Sequence, residues 1–363
     1  MSELYFLPAQ YGDAFFLHCQ KEEEEGWIVV DGGPIKLKKR SVFLQEVEKL
    51  PYIDLMVLTH HDNDHIVGIL SYVNEHKDDK PFPVKKLWVN CARHIGIEQG
   101  GDLSAPQASS LADTLNEIQK ESEIEWKIII TDGLDTSDIK FADIDVLSPN
   151  ADLLGKYIKE YEKKAEAPGP EDGLPLTAQD ERNDLKTSLP DLAMRPKAKP
   201  NEKDYSILVN MASIVFVLRC DGLSVLMLGD SFSRQIVDAL AARGITKENK
   251  LKVDFVKVAH HGSKYNISNE LLELIDCHNF IISTDGGLGD SFHPNREALA
   301  NIICHPARNY DETIHLHFNY TLESIKGKNG FPLFNEGEDK EYNFMIHEPN
   351  EDEAENQYRT TCY

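Results

Sequence analysis

Short apolar runs alternate with amphipathic segments along most of the chain, and the two patterns predict two kinds of element. Continuous apolar runs of about four to eight residues are typical of buried strands, whereas apolar residues at helical spacing are typical of helices. Strands are expected at residues 53–58, 84–89, 127–131, 141–147, 211–218, 224–228, 253–259, 280–283 and 313–318. Helices are expected at residues 41–50, 66–75, 108–120, 233–242, 269–275 and 293–303. Because strands and helices alternate, the pattern predicts an α/β protein built in layers.

The composition changes between about residues 165 and 204, where Pro, Lys, Glu and Asp dominate. Breakers such as Ala167-Pro168-Gly169-Pro170 predict a flexible insertion here rather than a second core. We therefore expect one domain over residues 1–326 that contains this insertion. A C-terminal extension, residues 327–363, is expected to form a small hairpin and an acidic tail.

Residues of metal-binding type stand directly after three of the predicted strands. Five of the eight residues 58–65 are His or Asp, Asp230 follows a second strand, and His260-His261 follow a third. Parallel strands of layered α/β proteins commonly bring their carboxyl ends to one edge, where ligands bind. Imidazole nitrogens and carboxylate oxygens converging there would hold a divalent cation, or two cations that share Asp230. Taken one at a time, these residues could equally be solvated loop residues.

Composition and charge narrow the class of protein. The 363 residues are 41% hydrophobic and 28% charged, which indicates a soluble globular protein. No apolar run approaches the ~20 residues of a membrane span, and Met1–Leu7 does not resemble a secretion signal. The six cysteines are scattered without a C-x-x-C pair, which favours reduced thiols and a cytoplasmic location. The net charge of −24 disfavours binding to duplex nucleic acid unless basic residues gather on one face.

Together these motifs resemble the metallo-β-lactamase superfamily, and most closely the metal-binding domain of ComEC-type DNA-uptake proteins and its soluble relatives. The matching segments run in order from about Leu4 to Ile303. They are Gln10-x-Gly12-Asp13, Asp31-Gly32-Gly33, His60-x-Asp62-x-Asp64-His65, Val146-Leu147-Ser148-Pro149, Asn210-x-x-Ser213, Leu228-Gly229-Asp230, His260-His261-Gly262-Ser263 and His293-Pro294. The resemblance implies an α/β four-layer αβ/βα sandwich with the metal site at the edge between two β-sheets.

The resemblance also implies roles for individual residues. His60 and Asp62 would hold a first metal ion, Asp64 and His65 a second, and Asp230 would bridge the two. Asp62 stands where many members of the superfamily have His. The second ion would take one further imidazole, and between His260 and His261 we favour His260 as the ligand and His261 as a contact to substrate.

Ser148 departs from the pattern, because a further His ligand is expected at its position. The first metal ion therefore loses a ligand, and its site would be weak, completed by water or another residue, or empty. Asp13, Asp31, Ser148, Ser263 and His293 are expected to bind substrate or to support the metal ligands.

The expected activity is metal-dependent hydrolysis. One or two Zn or Mn ions would lower the pKa of bound water, so that hydroxide forms near neutral pH. Asp64 would orient this nucleophile and His261 would stabilise charge on the attacked group. ComEC-like domains are associated with DNA degradation, which implies a phosphodiester substrate, either single-stranded nucleic acid or a nucleotide.

Three further possibilities follow from the sequence. Stand-alone relatives occur among bacterial defence genes, which suggests an antiviral effector with a protein partner in a multi-component system. The fold also supports hydrolysis of lactones, thioesters or other esters. Ser148 and the acidic tail suggest a catalytically weakened scaffold that binds a protein partner.

Overall fold

Two seven-stranded sheets form the centre of the molecule. This computed structural model describes the chain except for residues 36–39, 91–104, 121–123, 128, 167–183, 198–199, 203, 289–290, 350–359 and 363. The strands of the first sheet are, in spatial order, β18 (Thr360–Cys362), β1 (Glu3–Phe6), β2 (Phe15–Lys21), β3 (Glu24–Val30), β4 (Ile53–Leu58), β5 (Val84–Val89) and β6 (Glu125–Lys127). The strands from β18 to β3 pair antiparallel and those from β3 to β6 pair parallel.

The second sheet has the same mixed character. Its strands are, in spatial order, β17 (Phe344–His347), β16 (Ile314–Phe318), β13 (Asn279–Ile282), β11 (Phe255–Lys257), β9 (Leu223–Met227), β8 (Val215–Cys220) and β7 (Asp143–Ser148). The strands from β17 to β9 pair parallel, and β9, β8 and β7 pair antiparallel. Two small two-stranded sheets complete the described strands: β10 (Leu251–Lys252) with β12 (Ile275–Asp276), and β14 (Gly287–Leu288) with β15 (Ser291–Phe292).

Helices cover the outer faces of both sheets. The described α-helices are α1 (Val42–Val47), α2 (Asn63–His76), α3 (Ala105–Gln119), α4 (Ala151–Glu166), α5 (Leu189–Ala193), α6 (Tyr205–Met211), α7 (Ser233–Ala242), α8 (Asn269–Leu272), α9 (Arg296–Cys304), α10 (Leu322–Asn329) and α11 (Glu338–Glu341). None of these described helices is long and apolar enough to cross a membrane.

Three apolar clusters separate four layers. In β3, Ile28 and Val30 pack between the two sheets, whereas Val29 packs against the helices on the other face, as the alternation of side chains along a strand requires. A third cluster lies between the second sheet and its helices, with members such as Leu226, Ile236 and Leu299. The order is therefore helices, sheet, sheet, helices, and the predicted αβ/βα sandwich is confirmed.

Several element boundaries differ from the sequence prediction. The helix expected at residues 66–75 begins three residues earlier, at Asn63, so that Asp64 and His65 lie in its first turn rather than in a loop. The strand expected at residues 211–218 begins only at Val215, because Asp204 caps a short helix, α6, that includes Met211. An aspartate that accepts a backbone N–H at an N-cap favours helix over strand locally.

The segment predicted as a flexible insertion contains ordered elements. Helix α4 continues to Glu166, and α5 packs Leu189 and Leu192 into the core beneath α9, while residues 167–183 lie outside the described residues. The C-terminal extension was expected to form a separate hairpin. Instead β17 joins the second sheet beside β16, and β18 joins the first sheet beside β1.

Candidate metal centre

The residues that follow strands β3, β4, β9 and β11 meet where the edges of the two sheets come together. Asp31 follows β3, and His60 follows β4 in the first sheet. Asp230 and the pair His260-His261 follow β9 and β11 in the second sheet. Parallel strands thus deliver their carboxyl ends to one site, as the sequence predicted.

Four buried side chains form the centre of this site. Asp13, His65, Asp230 and His261 each offer one ligand atom, and these atoms lie within 4.8 Å of one another. The Nε2 atom of His65 lies 3.5 Å from Oδ1 of Asp230, and Nε2 of His261 lies 3.7 Å from Oδ2 of Asp230. Asp64 adjoins the group, because its Oδ2 lies 3.2 Å from Nε2 of His261. Imidazole and carboxylate ligands in this arrangement fit a divalent cation.

Hydrogen bonds on the far side of each ring aim the histidines at Asp230. Nδ1 of His65 donates to the carboxylate of Asp31 at 2.8 Å, and Nδ1 of His261 donates to the carbonyl of Ser283 at 2.8 Å. The Nε2 atom of each ring therefore faces the site. Among the described residues, Nε2 of His65 and Oδ1 of Asp230 are buried without a hydrogen-bond partner, which is what a metal ion would resolve.

The buried carboxylates of the site stabilise positive charge on a neighbouring histidine. Burial by itself would lower the pKa of His261, but attraction to Asp13 and Asp230 outweighs burial and raises this pKa to about 10. Burial would likewise raise the pKa of Asp230, yet the neighbouring histidines hold it well below its usual value. Since ligands must lose their protons to bind a metal, metal affinity is expected to increase with pH.

Lys257 is a buried cation that our sequence analysis did not single out. Its side chain is 1% exposed and forms an ion pair with Asp13, and its Nζ lies 3.0 Å from the carbonyl of Gly229. Burial would raise the pKa of Asp13, but attraction to Lys257 and His261 lowers it. The only signal in the sequence is a lysine inside an apolar strand that ends in His-His. Lys257 fixes Asp13 beside the site.

The sequence favoured His260 as the metal ligand of the His260-His261 pair, and the structure places both rings beside Asp230. His261, not His260, belongs to the buried group of four, and its side chain is 2% exposed against 24% for His260. His260 also lies beside Asp230, with its Nε2 3.6 Å from Oδ2 of that residue. The sequence could not decide this, because adjacent identical residues differ only in backbone conformation.

Of the other residues expected from the sequence, His60 lies beside Asp230, Asp62 lies beside His60, and His293 lies beside His260. Nε2 of His60 is 3.8 Å from Oδ2 of Asp230 and 3.6 Å from Oδ2 of Asp62. The ring of His293 lies next to that of His260, with 5.3 Å between their centroids. Burial, together with His260, holds the pKa of His293 well below its usual value. His293 is therefore a neutral imidazole at the edge of the site.

The hydrogen bonds of Ser148 and Ser263 indicate structural roles rather than metal binding. The hydroxyl of Ser148 accepts a hydrogen bond from Nε2 of Gln235 at 2.7 Å. The backbone N–H of Ser263 donates to the carbonyl of His260 at 2.9 Å and so closes the turn that carries the two histidines. Both serines support the local structure.

His61 is held outside the metal group by two tyrosines. Its Nδ1 is 2.9 Å from the hydroxyl of Tyr157 in α4, and its Nε2 is 3.1 Å from the hydroxyl of Tyr205 in α6. Burial lowers the pKa of His61 to about 4, so the ring is neutral at physiological pH. These contacts attach helices α4 and α6 to the loop that carries His60 and Asp62. They connect residues more than 90 positions apart, so no local sequence pattern indicates them.

Replacing Asp31 with Ala should weaken metal binding about 10- to 100-fold without removing a ligand. Asp31 orients His65 and also accepts hydrogen bonds from the backbone N–H and the hydroxyl of Thr59, at 2.8 and 2.7 Å. Titration of the metal-free protein with Zn or Mn would measure the change. Unchanged affinity in a variant that retains its circular dichroism spectrum would contradict the orienting role of Asp31.

Comparisons with known proteins find similarity only at the level of structure. No protein-family model and no curated protein matches the sequence. Similar solved structures include the diiron β-hydroxylase CmlA from Streptomyces venezuelae (12% identity, TM-score 0.40, covering 99% of this chain and 54% of that chain). They also include the metallo-β-lactamase fold protein YhfI from Bacillus subtilis (10%, 0.41, 100% and 99%) and yeast PDE1 (13%, 0.40, 96% and 98%). The chain spans about half the length of CmlA, and its function has to be inferred from its own residues.

Proposed function

We propose that this protein is a metal-dependent hydrolase of the metallo-β-lactamase superfamily that acts on phosphodiesters, either single-stranded nucleic acid or nucleotides. The observation that carries the proposal is the buried group of Asp13, His65, Asp230 and His261, whose ligand atoms lie within 4.8 Å of one another. A Zn or Mn ion bound there would lower the pKa of a bound water and offset the negative charge of a phosphodiester.

Asp64 is placed to orient a nucleophile. Its carboxylate lies between the buried ligands and solvent, with a side chain 21% exposed. Burial would raise the pKa of Asp64, but attraction to His65 and His261 lowers it to about 2, so the group is an ionised hydrogen-bond acceptor at neutral pH. An acceptor at this position can hold one hydrogen of a water molecule and direct its lone pair towards a substrate.

Two residues that follow the His-His turn in the chain support a phosphodiester over a simple ester. Tyr265 follows the turn that carries His260 and His261 and is 47% exposed, and the ammonium of Lys264 lies 5.1 Å from its ring centroid. An aromatic face beside a positive charge is the combination that stacks a base and attracts the backbone of a single strand. The net charge of −24 supports a small or single-stranded substrate over a long duplex. A role as a defence effector with a protein partner extends this proposal.

The proposal is tested by measuring hydrolysis after the protein is reconstituted with Zn or Mn. Single-stranded DNA, RNA, cyclic dinucleotides and bis(p-nitrophenyl) phosphate would be compared with p-nitrophenyl acetate, a thioester and a lactone. We expect metal-dependent cleavage of at least one phosphodiester, with loss of activity in EDTA. Cleavage of carboxylic esters alone, or of none of these substrates, would refute the phosphodiester assignment. Asp238→Asn, an exposed substitution on α7, is the matched control and should cleave like the wild type.

A further inference from the structure

A second set of potential ligands lies around Oδ2 of Asp230, the oxygen that also faces Nε2 of His261. Nε2 of His260 lies 3.6 Å and Nε2 of His60 lies 3.8 Å from Oδ2 of Asp230, and Asp62 places its Oδ2 3.6 Å from Nε2 of His60. Nε2 of His60 is buried without a hydrogen-bond partner among the described residues. We propose that His260 takes the place of the histidine missing at position 148 and binds one ion of a two-metal site, while His261 binds the other.

In this arrangement the halves share Asp230. One half consists of Asp64, His65 and His261, next to Asp13, whose carboxylate is paired with Lys257. The other half consists of His60, Asp62 and His260. His260 thereby supplies the ligand that Ser148 does not provide. The inference rests on the proposed metal dependence of the protein but not on the identity of its substrate.

Ser148 is not available to complete the second half. Its hydroxyl is buried and accepts a hydrogen bond from Gln235, whose Nε2 also donates to the carbonyl of Met211 at 2.7 Å. A neutral hydroxyl is also outside the set of Cys, His, Asp and Glu ligands that bind zinc in proteins. A third ligand for this half therefore has to come from another residue.

The backbone of the His-His pair is folded so that both rings reach Asp230. His260 has φ 49° and ψ 51°, and His261 has φ 54° and ψ 20°, both in the left-handed region. In a strand the two side chains would point to opposite faces. For residues other than glycine this conformation is strained, and such strain is concentrated at functional sites. The backbone N–H of His260 donates to the carbonyl of Gly229 at 3.0 Å, which anchors the turn beside Asp230.

Asn266 determines which nitrogen of His260 faces Asp230. The Nδ2 group of Asn266 donates to the carbonyls of Asp230 and Ser231, at 2.9 and 3.1 Å, so its Oδ1 must act as an acceptor. This Oδ1 lies 3.2 Å from Nδ1 of His260, which therefore donates to it. The lone pair of Nε2 is then directed at Asp230, as the lone pairs of His65 and His261 are. A buried amide that fixes the ring proton in this way is the support that metal-binding histidines commonly have.

The test is the metal content of the protein after reconstitution with Mn and removal of excess ion, with the electron paramagnetic resonance spectrum as a second readout. We expect two ions per wild-type chain and the spectrum of a magnetically coupled Mn pair. His260→Ala should bind one ion and show an isolated Mn spectrum, and adding Ser148→His should restore the second ion. His278→Ala, a histidine whose side chain is 39% exposed, is the matched control and should retain both ions.

Two results would overturn the inference. One is retention of two coupled ions by His260→Ala, and the other is loss of an ion in His293→Ala with His260→Ala unaffected, since His293 would then be the missing ligand. A single ion in the wild type would overturn it as well. Two ions without phosphodiester cleavage would uphold the two-metal site and refute only the proposed substrate.

Discussion

Asp230→Ala should abolish tight metal binding and reduce hydrolysis by about 1,000-fold or more. The carboxylate of Asp230 lies within 3.8 Å of four imidazole nitrogens, the Nε2 atoms of His60, His65, His260 and His261. A bound metal contributes several kcal/mol to charge stabilisation, and each ~1.4 kcal/mol corresponds to a tenfold change in rate. Metal content and the initial rate of phosphodiester cleavage would both be measured.

Two further variants separate this effect from loss of folding. Asp230→Asn keeps the size of the side chain and should also lose metal, because the shared negative charge is gone. Asp238→Ala removes an exposed aspartate from α7 and should keep both metal and activity. If Asp230→Asn bound metal as tightly as the wild type, Asp230 would not be a ligand.

The position of the site could be predicted from the sequence because strands end abruptly in His and Asp. His60, Asp230 and the pair 260–261 each follow an apolar strand, and parallel pairing brings those ends together. The fold was predictable for a related reason, since alternating strands and helices of this length form layers. Both inferences depend on patterns within about ten consecutive residues.

Features that depend on distant contacts or on backbone conformation could not be predicted. His261 rather than His260 joins the buried group because two consecutive residues adopt left-handed conformations. Lys257 lies inside the core because Asp13, far away in sequence, neutralises it. Helix α6 replaces the start of a predicted strand because a capping aspartate outweighs the apolar run that follows. In each case the deciding interaction is not visible in the local hydrophobic pattern.

Glu338→Ala should lower the free energy of unfolding by about 3–5 kcal/mol, because it leaves the buried guanidinium of Arg296 without its counter-ion. Arg296 is the first residue of α9 and is 1% exposed. Its Nη1 and Nη2 donate to the two carboxylate oxygens of Glu338 at 2.8 and 2.5 Å, and Nη1 also donates to the carbonyl of Leu333. Urea denaturation followed by circular dichroism would measure the loss.

Matched variants distinguish this buried pair from an ordinary surface pair. Glu323→Ala breaks an exposed pair with Lys326 and should change the free energy of unfolding by less than about 1 kcal/mol.

Burial would raise the pKa of Glu338, but its bond to Arg296 lowers it. The stabilisation should therefore be complete above the unfolded-state pKa of a glutamate, about 4.3, and disappear as the pH falls through the folded-state value. Equal losses in Glu338→Ala and Glu323→Ala would show that the burial of Arg296 adds nothing.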